Sequence, residues 1–480
     1  MVVAMSWPML LRNHKAGAGH PPEYSGTDGC GKTIGFPILR VMKLYVGIDV
    51  GTSGCRAIAI NGAGDVVAQR HRSFPPAQRS GPCCEQNPQL WLEAVFALLA
   101  ELGDETRRDE IAAIAVDGTS GTLLLTDANG VPIGPALMYN DARSIVEADR
   151  IAAHAPADSG AHGASSSLAK LLHLEGKPGH QAGHQTVRHA VHQAEWIAGR
   201  LTGRHGIGDE NNCLKLGYDV VRRCWPQWLE GLLGQRSWLP TVVAPGTVLG
   251  TLSTEARRRT GLPATTQVVA GTTDGVAAFL ATGAKRPGEA VTSLGSTLVL
   301  KIIAQQPVFA PRHGVYSHRL GERWLAGGAS NSGGAVLAQY FTPEQLLALS
   351  PAIDGDTDSG LDYYPLPAPG ERFPLNDPTL LPRLSPRPPE PARFLHGLLE
   401  GIARIELLGY QTLAKLGAPY PESIRSVGGG AGNPIWTGMR ARLLQVPLLA
   451  PRHREAAYGA ALLAAGLPDL ADVGPTHAIA

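Results

Sequence analysis

The chain has 480 residues, 44% of them hydrophobic, enough for two domains of ordinary size with a buried core in each; a disordered or collagen-like protein is excluded. Lys plus Arg number 42 against 41 Asp plus Glu, and a formal net charge of +1 gives no electrostatic pull toward nucleic acid or an anionic membrane. The six cysteines, Cys30, Cys55, Cys83, Cys84, Cys213 and Cys224, lack both CxxC spacing and the density of a secreted scaffold. No apolar run reaches the roughly 18 residues of a membrane span, so the expected setting is cytoplasmic and the expected partner is small and nearly neutral.

Residues 1–41 mix Gly, His, Pro and charge without a helical or strand period and read as a leader outside the fold, with Met42 a candidate native start. The first positive charges follow the short apolar stretch, with no clear cleavage site after them, which argues against a signal peptide. Gly26 and Gly31-Lys32-Thr33 satisfy the P-loop formula GxxxxGK[ST]. Pro21-Pro22 before them and Pro37 after them leave no room for the strand and helix that a P-loop requires, so the match is set aside.

From residue 43 β-branched runs alternate with helical patterns, the mark of an α/β architecture. Strands are predicted at 44–50, 55–61, 65–72 and 111–117, with a helix near 88–102. Asp49 falls at the end of the first strand, opposite the face of Leu44, Val46 and Ile48. The segment 150–240 reads as an elaboration. Strands at 289–294 and 297–303 repeat the opening pattern of strand, Gly/Ser/Thr turn, strand. Two similar domains follow, 43–286 and 287–470, facing each other across a cleft and able to clamp a polyphosphate. The ten prolines of 363–391 predict an extended surface loop.

Several residues can carry chemistry. The turn holding Gly51, Thr52 and Ser53 presents N–H groups and hydroxyls suited to phosphate oxygens, although a plain tight hairpin would look the same. Asp49 beside it can hold Mg²⁺ through water. Arg56 meets either a ligand in the cleft or a buried ion pair. Ser120, in a turn after a strand, could reach a sugar hydroxyl. Val268-Val-Ala-Gly271-Thr272-Thr273-Asp274 runs from a strand into a helix, placing Asp274 at or near an N-cap, where it either caps the helix or takes a proton from an attacking hydroxyl. Gly295 and Ser296 form the second phosphate turn. In Gly428-Gly429-Gly430-Ala431-Gly432-Asn433-Pro434, Asn433 suits an N-cap and Pro434 the first helical position, while the glycines let a base or ribose lie against the backbone. His180, His184, His189 and His192 are spaced like metal ligands, but Gly179, Gly183 and Pro178 break the helix that would align the first two. Trp225, Trp228 and Trp238 are assigned to packing rather than to stacking on a sugar.

Gly47-Ile-Asp49-Val-Gly51-Thr52-Ser53, Gly271-Thr-Thr-Asp274, Thr292-Ser-Leu-Gly295-Ser296-Thr297 and Gly428-Gly-Gly-Ala-Gly-Asn433 resemble, in order and spacing, the FGGY carbohydrate kinases over residues 43–468. Within that family AVDGTSGTLLL, MYNDARS, NNCLKLGYD and PGEAVTSLGSTLVLK look like the D-ribulose kinases of cyanobacteria and plant chloroplasts. The resemblance implies two ribonuclease H-like, actin-like domains closing on ATP, with Mg²⁺, and on a sugar. It implies Asp274 as catalytic base, sugar contacts from Asp49, Ser120 and Asp274, and nucleotide contacts from Ser296, Gly333, Gly429, Gly430 and Asn433; beside these, Ser53 and Arg56 are expected on the sugar side and Thr52 and Gly295 on the phosphates of ATP. The implied product is D-ribulose 5-phosphate. A kinase for xylulose or another polyol or ketose is the alternative, and an actin-like ATPase binding module is a more distant one.

Overall fold

The computed structural model describes residues 43–175, 186–233 and 238–466. The leader, its P-loop match, His180 and His184 lie outside the described residues. In LYVGIDV, alternation puts Leu44, Val46, Ile48 and Val50 into the core of the first half and forms strand β1 (Leu44–Val50). It continues through a short turn into β2 (Gly54–Ile60) and β3 (Val66–Ser73). Helix α1 (Pro88–Glu105), capped by the Asn87 side chain, covers one face of this sheet. Then come β4 (Ile111–Gly118), the short helix α2 (Glu210–Cys213), β5 (Val248–Thr251), β6 (Gln267–Val269) and helix α3 (Asp274–Ala281).

The second half begins with β7 (Glu289–Leu294), β8 (Leu298–Ala304), β9 (Tyr316–Leu320) and β10 (Arg323–Ser330). It continues with α4 (Pro391–Lys415), β11 (Ser423–Val427), α5 (Pro434–Leu444), β12 (Leu448–Leu449) and α6 (Ala456–Ala464). Both halves build a six-stranded sheet, ordered β5-β6-β4-β1-β2-β3 and β9-β10-β8-β7-β11-β12. Within each, three strands run antiparallel and two more lie parallel to the first, as β3-β2-β1-β4-β6 and β10-β8-β7-β11-β12. The chain is therefore an internal duplication of a ribonuclease H-like α/β unit. The repeat seen in the sequence at 49–54 and 293–297 is the β1–β2 and β7–β8 turn of this duplication.

Helices α3 and α6 lie between the two sheets. Their Val276, Phe279, Ala460 and Leu463 share one buried cluster with Ala113 and Ala115 of β4, Ile303 of β8 and Leu325 of β10. Contact is close enough to demand glycine: a Cβ on Gly47 would lie 1.9 Å from the Ala457 carbonyl oxygen, and one on Gly459 would lie 1.8 Å from that of Ala277. Tyr45, Gly47 and Asp49 share this face of β1, so Asp49 emerges toward the space between the sheets.

The proline-rich 363–391 is not a free surface loop. Tyr363, Leu366 and Phe373 are buried, Phe373 fills the space left by Gly328, and buried Glu371 accepts hydrogen bonds from Ser330 Oγ (2.6 Å) and Asn331 N (2.7 Å). The pattern of proline hid its apolar anchors. Trp225, Trp228 and Trp238 pack with Leu229, Leu232 and Leu233 in a separate core of the elaboration. No helix among the described residues is long and apolar enough to cross a membrane.

Candidate active site

Three carboxylates meet at the carboxyl ends of neighbouring strands, where open α/β sheets place ligands. Asp49 ends β1 and lies in register with Asp117 on parallel β4. Gly118 forms a bridge with Thr273, which brings Asp274 alongside. Asp117 is 0% exposed and, among the described residues, no group hydrogen-bonds either of its oxygens. Burial, and then the Asp49 charge, hold its pKa well above the usual carboxylate range. The Asp49 pKa is itself raised to about 6, chiefly by burial and then by the Asp274 charge, with neighbouring Asp117 and the charge of Arg56 opposing the rise.

Asp274 is not the helix cap. Thr273 is: its hydroxyl accepts from Val276 N at 3.3 Å, and Asp274 occupies the first helical position. Threonine is among the preferred caps, and with Thr273 in that place the carboxylate turns to the cleft with Gly275 N donating to Oδ1 at 2.6 Å. Burial raises the Asp274 pKa; the N–H of Gly275, the ammonium groups of Lys301 and Lys215 and the N–H of Ser120 oppose the rise.

Those lysines arrive from opposite sides. Lys301, on β8 of the second sheet, crosses to donate to Gly275 O at 2.7 Å, and burial lowers its pKa to about 8. Lys215, just beyond α2, donates to Ser120 O at 3.0 Å. Lys170 holds the next carbonyl, Gly121 O, at 2.7 Å, with a pKa brought down to about 7 by burial. Two ammonium groups thus fix the turn that presents Ser120. Lys301→Met removes a cation that lowers the Asp274 pKa. Its acid limb in a kcat/KM pH profile therefore moves to higher pH, and activity at pH 6 falls by a larger factor than at pH 8. Equal loss at both would show that Lys301 does not act on Asp274.

The second sheet repeats the arrangement. Gly295, Ser296, Gly429, Gly430 and Asn433, all predicted nucleotide contacts, line one cavity of 330 Å³ with Leu294, Leu346 and Trp436. Gly428 opens the run with φ +85°, and a Cβ there would lie 2.7 Å from the Leu294 carbonyl, so only glycine serves. Gly333 stands behind the turn rather than in the cavity wall; the next two residues donate N–H bonds to Gly295 O (2.8 Å) and Ser296 O (3.0 Å). Asn433 caps α5 by accepting from Trp436 N, donates to Ser350 Oγ at 2.9 Å, and is 2% exposed. Its amide shapes the wall and is already bonded.

Thr52 and Ser53 sit in the β1–β2 turn, closed by Gly51 N to Gly54 O at 2.9 Å. Arg56 lies opposite Asp49 on β2 and pairs with Glu455 at the start of α6; this pair is solvent-exposed, not buried. His192 donates or accepts with Glu195 and Ser167 inside the core, tying the elaboration to the first sheet. Asp117, Lys215 and Lys301 were not singled out from the sequence. Lys301 left a signal, a lone cation inside the apolar strand VLKII, and Asp117 ends AIAVD as Asp49 ends YVGID.

The model for the N-terminal domain of the FGGY family of carbohydrate kinases matches residues 44–281, and that for its C-terminal domain matches 290–466. The xylulose kinase of Streptomyces coelicolor is 30% identical over 455 residues, covering 88% of each chain. That of Escherichia coli is 26% identical over 412 residues, covering 83% of this chain and 84% of the relative. Among solved structures, one described as a xyloylose kinase from Brucella ovis superposes with a TM-score of 0.79 at 25% identity, covering 89% of this chain and 91% of that one.

Proposed function

Because the chain belongs to the FGGY family of carbohydrate kinases, phosphotransferases with an alcohol group as acceptor, we propose that it transfers the γ-phosphoryl group of ATP to a hydroxyl of a ketopentose, with Asp274 as general base. The observation that carries the reading is the Asp274 carboxylate, relieved of capping by Thr273 and standing between Lys215 and Lys301.

In this reading a sugar hydroxyl hydrogen-bonds Asp274, loses its proton to that carboxylate as its oxygen attacks the γ-phosphorus, and ADP leaves with the electrons of the broken P–O bond. Burial strengthens the base, while the lysines keep it ionised at neutral pH. Ser120 and Asp49 hold the sugar, with Ser53 and Arg56 at the rim. The nucleotide occupies the 330 Å³ cavity, its phosphates running past Gly295 and Ser296 toward Thr52. The crowded carboxyl groups of Asp49 and Asp117, their pKa values raised by burial and by neighbouring carboxylate charge, form an oxygen donor set suited to a hard cation. Asp49 would hold Mg²⁺ through water, and the ion would neutralise phosphate oxygens.

The relatives named xylulose kinases favour D-xylulose as acceptor over D-ribulose, the sugar implied by the sequence blocks. D-ribulose remains the second reading on the strength of those blocks. ADP release measured across D-xylulose, D-ribulose, ribitol, glycerol and an aldonate decides. The expected result is the highest kcat/KM on a ketopentose, with D-xylulose first. A polyol or an aldonate at the head of the ranking, or ATP hydrolysis indifferent to every sugar, would sink the proposal.

A further inference from the structure

The first half supplies Asp274, Ser120 and Asp49, but the acceptor space has another wall, made by the second sheet. In β8, β10 and β9, Lys301, Gly327 and Tyr316 stand in one row across three strands. Strands lie about 4.8 Å apart, so Lys301 and Tyr316 are posts about 10 Å apart with no side chain between them. A Cβ on Gly327 would lie 2.3 Å from Leu300 O and 3.1 Å from Lys301 Cγ, which keeps the hollow open. The next row, Ile303, Leu325 and His318, closes its floor: Ile303 and Leu325 enter the core between the sheets, and His318 remains at the edge.

His318 is 6% exposed, its ring meets that of Tyr316 at 5.2 Å and 60°, and neither the imidazole nor the Tyr316 hydroxyl makes a hydrogen bond among the described residues. The His318 nitrogens are not among the sealed, unsatisfied polar atoms, so the ring keeps an open edge that a ligand hydroxyl can meet. Both side chains feel the catalytic groups: Asp274 acts on the Tyr316 hydroxyl, and Lys301 and Lys215 act on the His318 ring. Burial first, then those two cations, keep His318 neutral by pushing its pKa well below the usual value. A neutral imidazole and a phenol both donate and accept, which suits hydroxyls rather than a carboxylate.

We propose that Tyr316 and His318, carried by the nucleotide-side sheet, form the far wall of the acceptor pocket and hydrogen-bond the hydroxyls that are not phosphorylated, making them specificity-determining residues. The inference rests on the placement of the acceptor at Asp274 proposed above. It also means that one sugar molecule touches both sheets, so its binding draws them together.

The test is steady-state kinetics of His318→Ala and Tyr316→Phe on the acceptor that the wild type uses best. Loss of one neutral hydrogen bond raises the acceptor KM about tenfold in each variant. The KM for ATP stays within about twofold, as does kcat, because neither residue reaches the nucleotide cavity. An unchanged acceptor KM, or a loss shared equally between acceptor and ATP, overturns the proposal. Tyr316→Phe keeps the ring and its packing, so it answers even if His318→Ala fails to fold. The wild-type ranking is read separately: preference for a polyol defeats the ketopentose reading, while the variants still decide the wall on that polyol.

Discussion

Asp274→Ala yields a folded protein that binds ATP and turns over about 10²–10⁴-fold more slowly, the usual contribution of a positioned general base. The prediction is sharp because the structure separates two tasks that one aspartate could have shared. The Thr273 hydroxyl still accepts from Val276 N, so α3 keeps its cap. What the variant loses structurally is the 2.6 Å bond from Gly275 N. That costs about 1 kcal/mol and leaves a thermal melt nearly unmoved. Turnover is read by ADP release at saturating sugar and ATP, and nucleotide binding by titration. Near-normal turnover would remove Asp274 from the role of base.

The largest expected loss of stability is at Arg440. Its Nε and Nη2 donate to the two oxygens of Glu406 at 2.6 and 2.7 Å, both side chains being 0% exposed, and Nη1 donates to Ser426 Oγ at 2.8 Å. Thr292 Oγ1 donates to the same carboxylate at 2.6 Å. Arg440→Met leaves Glu406 charged and buried with one donor, a cost of about 3–5 kcal/mol. Chemical denaturation measures it. The double variant Arg440→Met with Glu406→Leu recovers much of the loss, since an apolar pair has no stranded charge. Failure to recover would mean that the pair does more than neutralise itself. Thr292 and Ser426 precede the two turns that line the 330 Å³ cavity proposed for the nucleotide, so on that proposal the single variant also raises the KM for ATP.

The fold was legible where period and turn chemistry agreed. The predicted strand at 44–50 matches β1, and the helix near 88–102 runs on to Glu105. Asn433 and Pro434 cap and open α5 as their types dictate. The site was legible only in the parts that lie near glycine-rich turns. Lys215, Lys301 and Tyr316 come from segments far apart in the chain and come near Asp274 only through sheet pairing and the packing of one half on the other. Asp117 becomes informative once β4 is known to lie beside β1, because only register sets its carboxyl against that of Asp49. Thr273 and Asp274 are both good caps, and local preference alone does not choose between them.

Helix α6 packs on β1, although Arg56 of the β2 hairpin and Glu455 at the helix start are 399 positions apart. A sheet begun by the first strands cannot bury its inner face until the last helix has been synthesised. The amino-terminal half thus leaves the ribosome with Gly47 and its neighbours uncovered and completes its inner face only when α6 arrives, a late step governed by long-range contacts.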